Sequence, residues 1–130
     1  MHRQTVKKKR PVNLDLRTIQ MPVTAIVSIL HRISGIITFV TIGIFLWLLS
    51  ISLSSQEGFM QATIILSHPV VKFIFWIILT VLAYHLCGGI RHLLMDFNYI
   101  KEDLVTGIRS AQVIIILTLM LSILVGVLLW

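Results

Sequence analysis

The sequence predicts an all-α membrane protein of three transmembrane helices, and two observations predict it. Hydrophobic residues fill 57% of the 130 positions and charged residues only 12%, far from the balance of a soluble domain. Three stretches carry almost no charge: Ile33 to Ser54, Pro69 to Ile90 and Ala111 to Trp130. Each is about 20 residues, which at about 1.5 Å per residue matches a hydrocarbon core of about 30 Å. The helices are expected over about 22–54, 67–95 and 109–130, within a transmembrane domain of residues 22–130.

Ahead of them, residues 1–21 form the longest polar stretch, a basic tail that leaves no separate soluble domain. No short apolar run with a small-residue cleavage site follows its basic start, so the tail reads as retained. The single cysteine, Cys87, lies inside the second apolar run, so no intrachain disulfide is possible. It reads as a small buried hydrophobe.

Lysine and arginine mark the cytoplasmic side of a membrane protein. Arg3, Lys7, Lys8, Lys9, Arg10 and Arg17 precede the first helix, and Arg91, Lys101 and Arg109 lie between the second and third. The connection from Ser55 to His68 has only Glu57, with Lys72 just beyond. The N-terminus and second loop are therefore expected in the cytoplasm, and the first loop and C-terminus on the periplasmic side. The net charge of +6 then suits anionic lipid headgroups or an acidic cytoplasmic partner. It does not suggest nucleic acid, because the basic run is short, lacks interleaved aromatics and is followed at once by membrane.

The first helix is expected to start near Pro22, where proline suits the first turn. At about 100° per residue, Thr24, Ser28, His31, Arg32 and Gly35 share one narrow face. On the second helix His85, Gly88, Gly89, His92 and Asp96 share another, while Arg91 points away. The two stripes lie at matching depths. His85 is six residues inside Arg91, about 9 Å deeper at helical rise.

A polar group in hydrocarbon without a partner costs several kcal/mol. Arg32 and Arg91 can snorkel to the headgroups, but the shorter His85 cannot. An intramembrane histidine has three explanations: an interhelical hydrogen bond, a proton relay, or a metal or haem ligand. Gly88 and Gly89 either permit a close helix contact or clear space for a flat ligand. The conjunction of a deep histidine, adjacent glycines, and His31 and Arg32 where haem propionates would reach favours a bulky anionic cofactor.

Other residues read as structural. His68 is interfacial or capping, and His2 is solvated. Trp47, Trp76 and Trp130 form an aromatic belt. Thr118, Ser122 and Gly126 form a packing stripe on the third helix.

The stretches "RPVNLDL", "SILHRIS" and "HLCGGIRHLLMD" resemble the signature regions of the cytochrome b membrane-anchor subunits of bacterial succinate dehydrogenase, the C subunits of respiratory complex II. The resemblance runs from the basic tail to the C-terminal tryptophan. It rests on the spacing from Arg10-Pro11 through Ser28 and His31-Arg32 to Ser34, and on His85 with Gly89, Arg91, His92 and Asp96.

The resemblance implies an anchor in the bacterial inner membrane that pairs with a second three-helix subunit to hold one haem b between two histidines. His85 would be this chain's iron ligand, and His31 and Arg32 would meet the propionates. Ser28, Ile29 and Arg32 would line a ubiquinone site completed by the iron-sulfur subunit and the partner anchor. The flavoprotein subunit would be an indirect partner, and the oxidation of succinate would occur on those other subunits. One position departs from the family pattern, which has a small residue two places after the aspartate. Here it is Asn98, which also suits the left-handed conformation at a helix end.

Reducing a quinone to a quinol takes two electrons and two protons, so the site needs donors to a carbonyl oxygen and a proton route. Ser28 can donate a hydrogen bond, while Arg32 stays cationic and is not the terminal acid. Asp96, Glu102 and Asp103 are candidates for proton delivery, or else a solvated acidic turn balancing Lys101. Two other functions fit part of the pattern. One is the anchor of a menaquinol-oxidising fumarate reductase. The other is a small proton channel or transporter, which would need ionisable groups through both leaflets, whereas the polar groups here gather toward one face. A scaffold that binds quinone without haem is a further reading.

Overall fold

A computed structural model of the chain describes Asp15, residues 18–101 and residues 103–130. The basic tail through Leu14, Leu16, Arg17 and Glu102 lie outside the described residues, so the expectations placed on them concern positions outside this structure. The described residues form four helices: α1 (Val23–Ser54), α2 (Gln56–Ser67), α3 (Pro69–Asp96) and α4 (Leu104–Leu129). Among them α1, α3 and α4 are long and apolar enough to cross a membrane.

Helices α1 and α4 each bury a narrow seam. On α1 the buried residues are Val27, Ser34, Thr41 and Leu48, one every seven positions, which is the spacing of a helix-packing seam. On α4 they are Gly107, Ala111, Ile114, Thr118 and Ser122, mostly small, as close packing between membrane helices requires. A Cβ on Gly107 would stand 3.3 Å from the Thr24 methyl group, so α1 and α4 approach there. The expected stripe on the last helix is thus a packing seam at Thr118 and Ser122. Gly126 extends it by lying beneath the Trp76 indole, 3.3 Å from a Cβ placed there.

Helix α3 packs against both α1 and α4, and side chains tie it to each. Toward α4, Lys72 Nζ donates to the Leu129 carbonyl (3.2 Å) and Trp76 Nε1 to the Ser122 carbonyl (2.9 Å). The Thr80 hydroxyl donates back to the Trp76 carbonyl (2.8 Å), so at 2.8 Å the Ser122 hydroxyl donates to Thr80. Interhelical bonds of this kind in membranes contribute about 1 kcal/mol each. Trp76 is therefore a clip between helices, where a place in an aromatic belt was expected. Trp47 and Trp130 do expose more than half their surface.

Element boundaries differ from expectation in two places. The connection after α1 contains α2, capped by Ser55, whose hydroxyl accepts from Gly58 N at 3.0 Å. Gly58 lets α2 fold onto α1, because a Cβ there would meet the Ile51 carbonyl oxygen and the Ser54 hydroxyl. Helix α4 starts at Leu104, five residues before the expected 109. A search for uncharged sequence passes over its polar first turns, which Asp103 starts by accepting from Thr106 N (2.7 Å) and Thr106 Oγ1 (2.8 Å).

Helix α3 ends as Asn98 leads one to expect. Its φ is +59°, Asn98 N bonds the Met95 carbonyl and Tyr99 N the Leu94 carbonyl, both at 2.9 Å. This pair of bonds around a left-handed residue is the Schellman closure, with asparagine in glycine's usual place.

Candidate functional site

The α1–α3 contact brings the two polar stripes together. His31 and His85 stack face to face, ring centroids 4.4 Å apart and planes 6° from parallel. Each ring also reaches the backbone of the other residue. His31 Nε2 lies 3.1 Å from the His85 carbonyl oxygen, and His85 Nδ1 lies 3.3 Å from the His31 carbonyl oxygen. The buried Ser34 joins them: its hydroxyl donates to the His31 carbonyl at 2.7 Å and sits 3.0 Å from His85 Nδ1. Below this clasp the Tyr84 hydroxyl donates to the Val27 carbonyl at 2.8 Å.

The glycines admit this arrangement in different ways. A Cβ on Gly88 would stand 2.6 Å from His31 Cδ2, and one on Gly35 would stand 3.1 Å from His85 Cε1. The space beside Gly88 is therefore filled by the His31 ring, where an opening for a ligand was expected. Gly89 is different. Its Cβ would meet only His31 Nε2, at an ordinary 3.7 Å, and it lines an open groove with His85, Leu86, Ile90, His92 and Leu93.

His92 completes a row of three rings, 4.9 Å from His31 and tilted by 51°. No group of three or more His, Cys, Asp or Glu among the described residues is disposed to hold a metal ion. His85 Nε2 has no hydrogen-bond partner among the described residues.

Ser28, Ile29 and Arg32 lie on α1 beside the clasp. Ser28 is half-buried, Ile29 and Arg32 are exposed, and the two polar side chains have no hydrogen-bond partner among the described residues. They make an open edge, with a donor and a cation that no described residue engages. Asp96 is exposed at the last position of α3. Asp103 is occupied as the cap of α4, and its bonds from Thr106 N and Oγ1 hold its carboxyl below the usual aspartate range. Glu102 lies outside the described residues.

Arg91 departs from expectation. It does not snorkel: it is 4% exposed, with Nε donating to Ser110 Oγ at 2.9 Å and Nη2 to the Gly107 carbonyl at 3.3 Å. Pointing away from the histidine stripe aims it between α3 and α4, where α4's polar first turns supply acceptors.

Comparison with known proteins bears on this arrangement. The profile of the family described as succinate dehydrogenase/fumarate reductase transmembrane subunit matches residues 6–125. The chain belongs to that family. Among relatives of this transmembrane subunit is the succinate dehydrogenase cytochrome b556 subunit of Coxiella burnetii, 38% identical over 123 residues, covering 94% of this chain and 98% of that protein. Proteins of the same name from Rickettsia felis and Rickettsia prowazekii are 30% and 32% identical, each covering 92% of this chain and 95% of the relative.

Sequence reasoning for this transmembrane subunit named the histidines and missed the hydroxyls around them and around Arg91: Ser34, Tyr84 and Ser110 had no assigned role. Ser34 carried a usable signal: it is a hydroxyl in an apolar run, three residues after His31 and seven after Val27, and so on the seam of α1.

Proposed function

We propose that this chain is the cytochrome b membrane anchor of a succinate:ubiquinone oxidoreductase. In this reading His85 would hold the iron of one haem b through Nε2, together with a histidine of a second three-helix anchor subunit. The observation that carries the reading is His85 itself. Its Nδ1 is held within α1–α3, its Nε2 is free, and its ring borders the groove kept open by Gly89. A single free imidazole nitrogen on an open helix face is what an axial ligand shared between two chains needs. The cytochrome b556 names of the relatives support haem b.

Bound haem would supply a one-electron redox centre. The remaining roles belong to the residues of this chain. Arg32 offers an exposed cation to the propionates. His31 is the second candidate there, and because its Nε2 faces the His85 carbonyl, only Nδ1 remains to meet a carboxylate. Ser28 would donate to a quinone carbonyl, Arg32 would stabilise negative charge developing on the headgroup, and Ile29 would line the pocket. All three sit on an open edge, in keeping with a ubiquinone site completed by the iron-sulfur subunit and the second anchor. The flavoprotein would oxidise succinate at a distance from this chain. Asp96 and Glu102 remain the proposed proton path.

The chain would be a multi-pass protein of the bacterial inner membrane, in contact with lipid, with Arg32, His92 and Asp96 toward the cytoplasm. Purifying the complex through a tag on this subunit and recording a reduced-minus-oxidised spectrum tests partner and haem together. A b-type spectrum accompanied by succinate-oxidising subunits is expected. A chain purified alone, without haem, would reject the reading.

A further inference from the structure

We propose that Ser34 is a positioning residue for the haem ligand, fixing the proton of His85 on Nδ1 and so keeping the lone pair on Nε2. This rests on the reading of His85 as the axial ligand.

The assignment follows from counting protons. A serine hydroxyl has one proton to give, and that of Ser34 goes to the His31 carbonyl at 2.7 Å. At 3.0 Å from His85 Nδ1, Ser34 Oγ can therefore only accept, and Nδ1 must donate. The second neighbour of Nδ1, the His31 carbonyl at 3.3 Å, accepts and never donates, so it imposes the same direction. A neutral imidazole with its proton on Nδ1 has its lone pair on Nε2. Two acceptors on one nitrogen thus leave a single neutral tautomer, the one that can bind iron at Nε2.

Ser34 is the stronger acceptor by distance, and it is 5% exposed on the seam of α1, so water does not replace it readily. The bond has an electronic consequence as well as an orienting one. A ligating histidine whose second N–H is donated becomes a more basic ligand, which favours ferric over ferrous iron and lowers the midpoint potential. Ser34 would therefore act on the haem without touching it.

The test uses the whole complex with four Ser34 variants of this subunit and His85→Ala. Ser34→Ala removes the acceptor. Ser34→Val and Ser34→Thr have nearly the same shape, so they impose the same steric change beside the cavity that Ser34 borders with Ile33, Ile37 and Thr80. Only Thr keeps the hydroxyl. Ser34→Cys supplies a weaker acceptor. The readouts are haem per flavin, the optical spectrum and the haem midpoint potential by redox titration.

Ser34→Ala and Ser34→Val are expected to raise the midpoint potential and weaken haem retention by about tenfold or more, the usual effect of losing such a partner. Ser34→Thr should resemble the parent, with Ser34→Cys between. Equal behaviour of Ser34→Val and Ser34→Thr, or a midpoint unmoved in Ser34→Ala, would overturn the proposal while leaving His85 as ligand. Full haem content and an unchanged spectrum in His85→Ala would instead reject the ligand reading on which it rests.

Discussion

His31 and His85 hold one another by their backbones: each imidazole lies within hydrogen-bonding distance of the other residue's carbonyl oxygen, and the rings stack 4.4 Å apart. The clasp needs Gly88, whose missing side chain is replaced by the His31 ring. Gly88→Ala is therefore expected to push His31 out of the stack, at an overpacking cost of about 1–3 kcal/mol. Gly89→Ala, which meets only an ordinary contact at 3.7 Å, should leave the α1–α3 contact intact. Thermal denaturation of the detergent-solubilised complex distinguishes them, and equal destabilisation by both would show that the glycines serve only close helix packing.

Arg91 is a buried cation whose two bonds among the described residues go to neutral oxygens. Removing a partner from a buried charge costs more than replacing the charge with an apolar side chain of similar length. Ser110→Ala is thus expected to lower stability by about 1–3 kcal/mol. Arg91→Met should cost less, because the Ser110 hydroxyl keeps its bond to the Gly107 carbonyl at 3.0 Å. Melting temperatures of the two variants check the order, and the reverse order would mean that Arg91 has an anionic partner in the assembled complex.

These two sites also mark how far the sequence could be read. Long apolar runs identify three spanning helices because hydrocarbon tolerates little else. Periodicity placed His31 and His85 on polar stripes at matching depths, and Asn98 signalled the end of α3 through its ease in the left-handed region. The partner of each buried group was not legible. That Gly88 receives a ring while Gly89 stays open depends on how α1 crosses α3, which no single-helix projection contains. Arg91 could be placed off the histidine stripe, but one of its acceptors, Gly107, lies before the expected start of the last helix, and which side of α4 faces α3 depends on how the two helices cross.

The quinone site proposed at Ser28 and Arg32 predicts a separation of activities. Ser28→Ala and Arg32→Leu should each reduce succinate–quinone turnover by about tenfold or more, as expected when a donor to a developing negative charge is lost. Succinate oxidation by a water-soluble acceptor should remain near the parent level. Parallel assays on the same preparations measure the ratio, and equal loss of both activities would point to failed assembly.

Asp103 gives a pH dependence whose sign is fixed. Its carboxylate accepts from Thr106 N and then from Thr106 Oγ1, which lowers its folded pKa below the ordinary value. The cap's contribution is therefore fully present above the unfolded value of about 3.9 and is lost as pH falls through the lower folded value. Amide exchange at Thr106 and Gly107 should be insensitive to this carboxyl near neutrality and show fraying of α4 only in strong acid. Asp103→Asn keeps an acceptor and should abolish the acid transition, whereas Asp103→Ala should fray the helix start at every pH. An acid transition that survives in Asp103→Asn would assign it to another group.

The bond from Lys72 to the Leu129 carbonyl ties the start of α3 to the end of α4. It places a cation at a helix C-terminus, where the helix dipole favours one. Because α3 and α4 are both long enough to span, the start of α3 and the end of α4 share one membrane face. The basic residues around Arg91, Lys101 and Arg109 gather at the other face, and the charge rule assigns that one to the cytoplasm. Reporter fusions after Trp130 and within α2 should both signal the periplasm, and a fusion after Asn98 should signal the cytoplasm. A cytoplasmic signal at Trp130 together with a periplasmic one at Asn98 would invert the topology and move the Ser28–Arg32 edge away from the side on which the proposed iron-sulfur partner would sit.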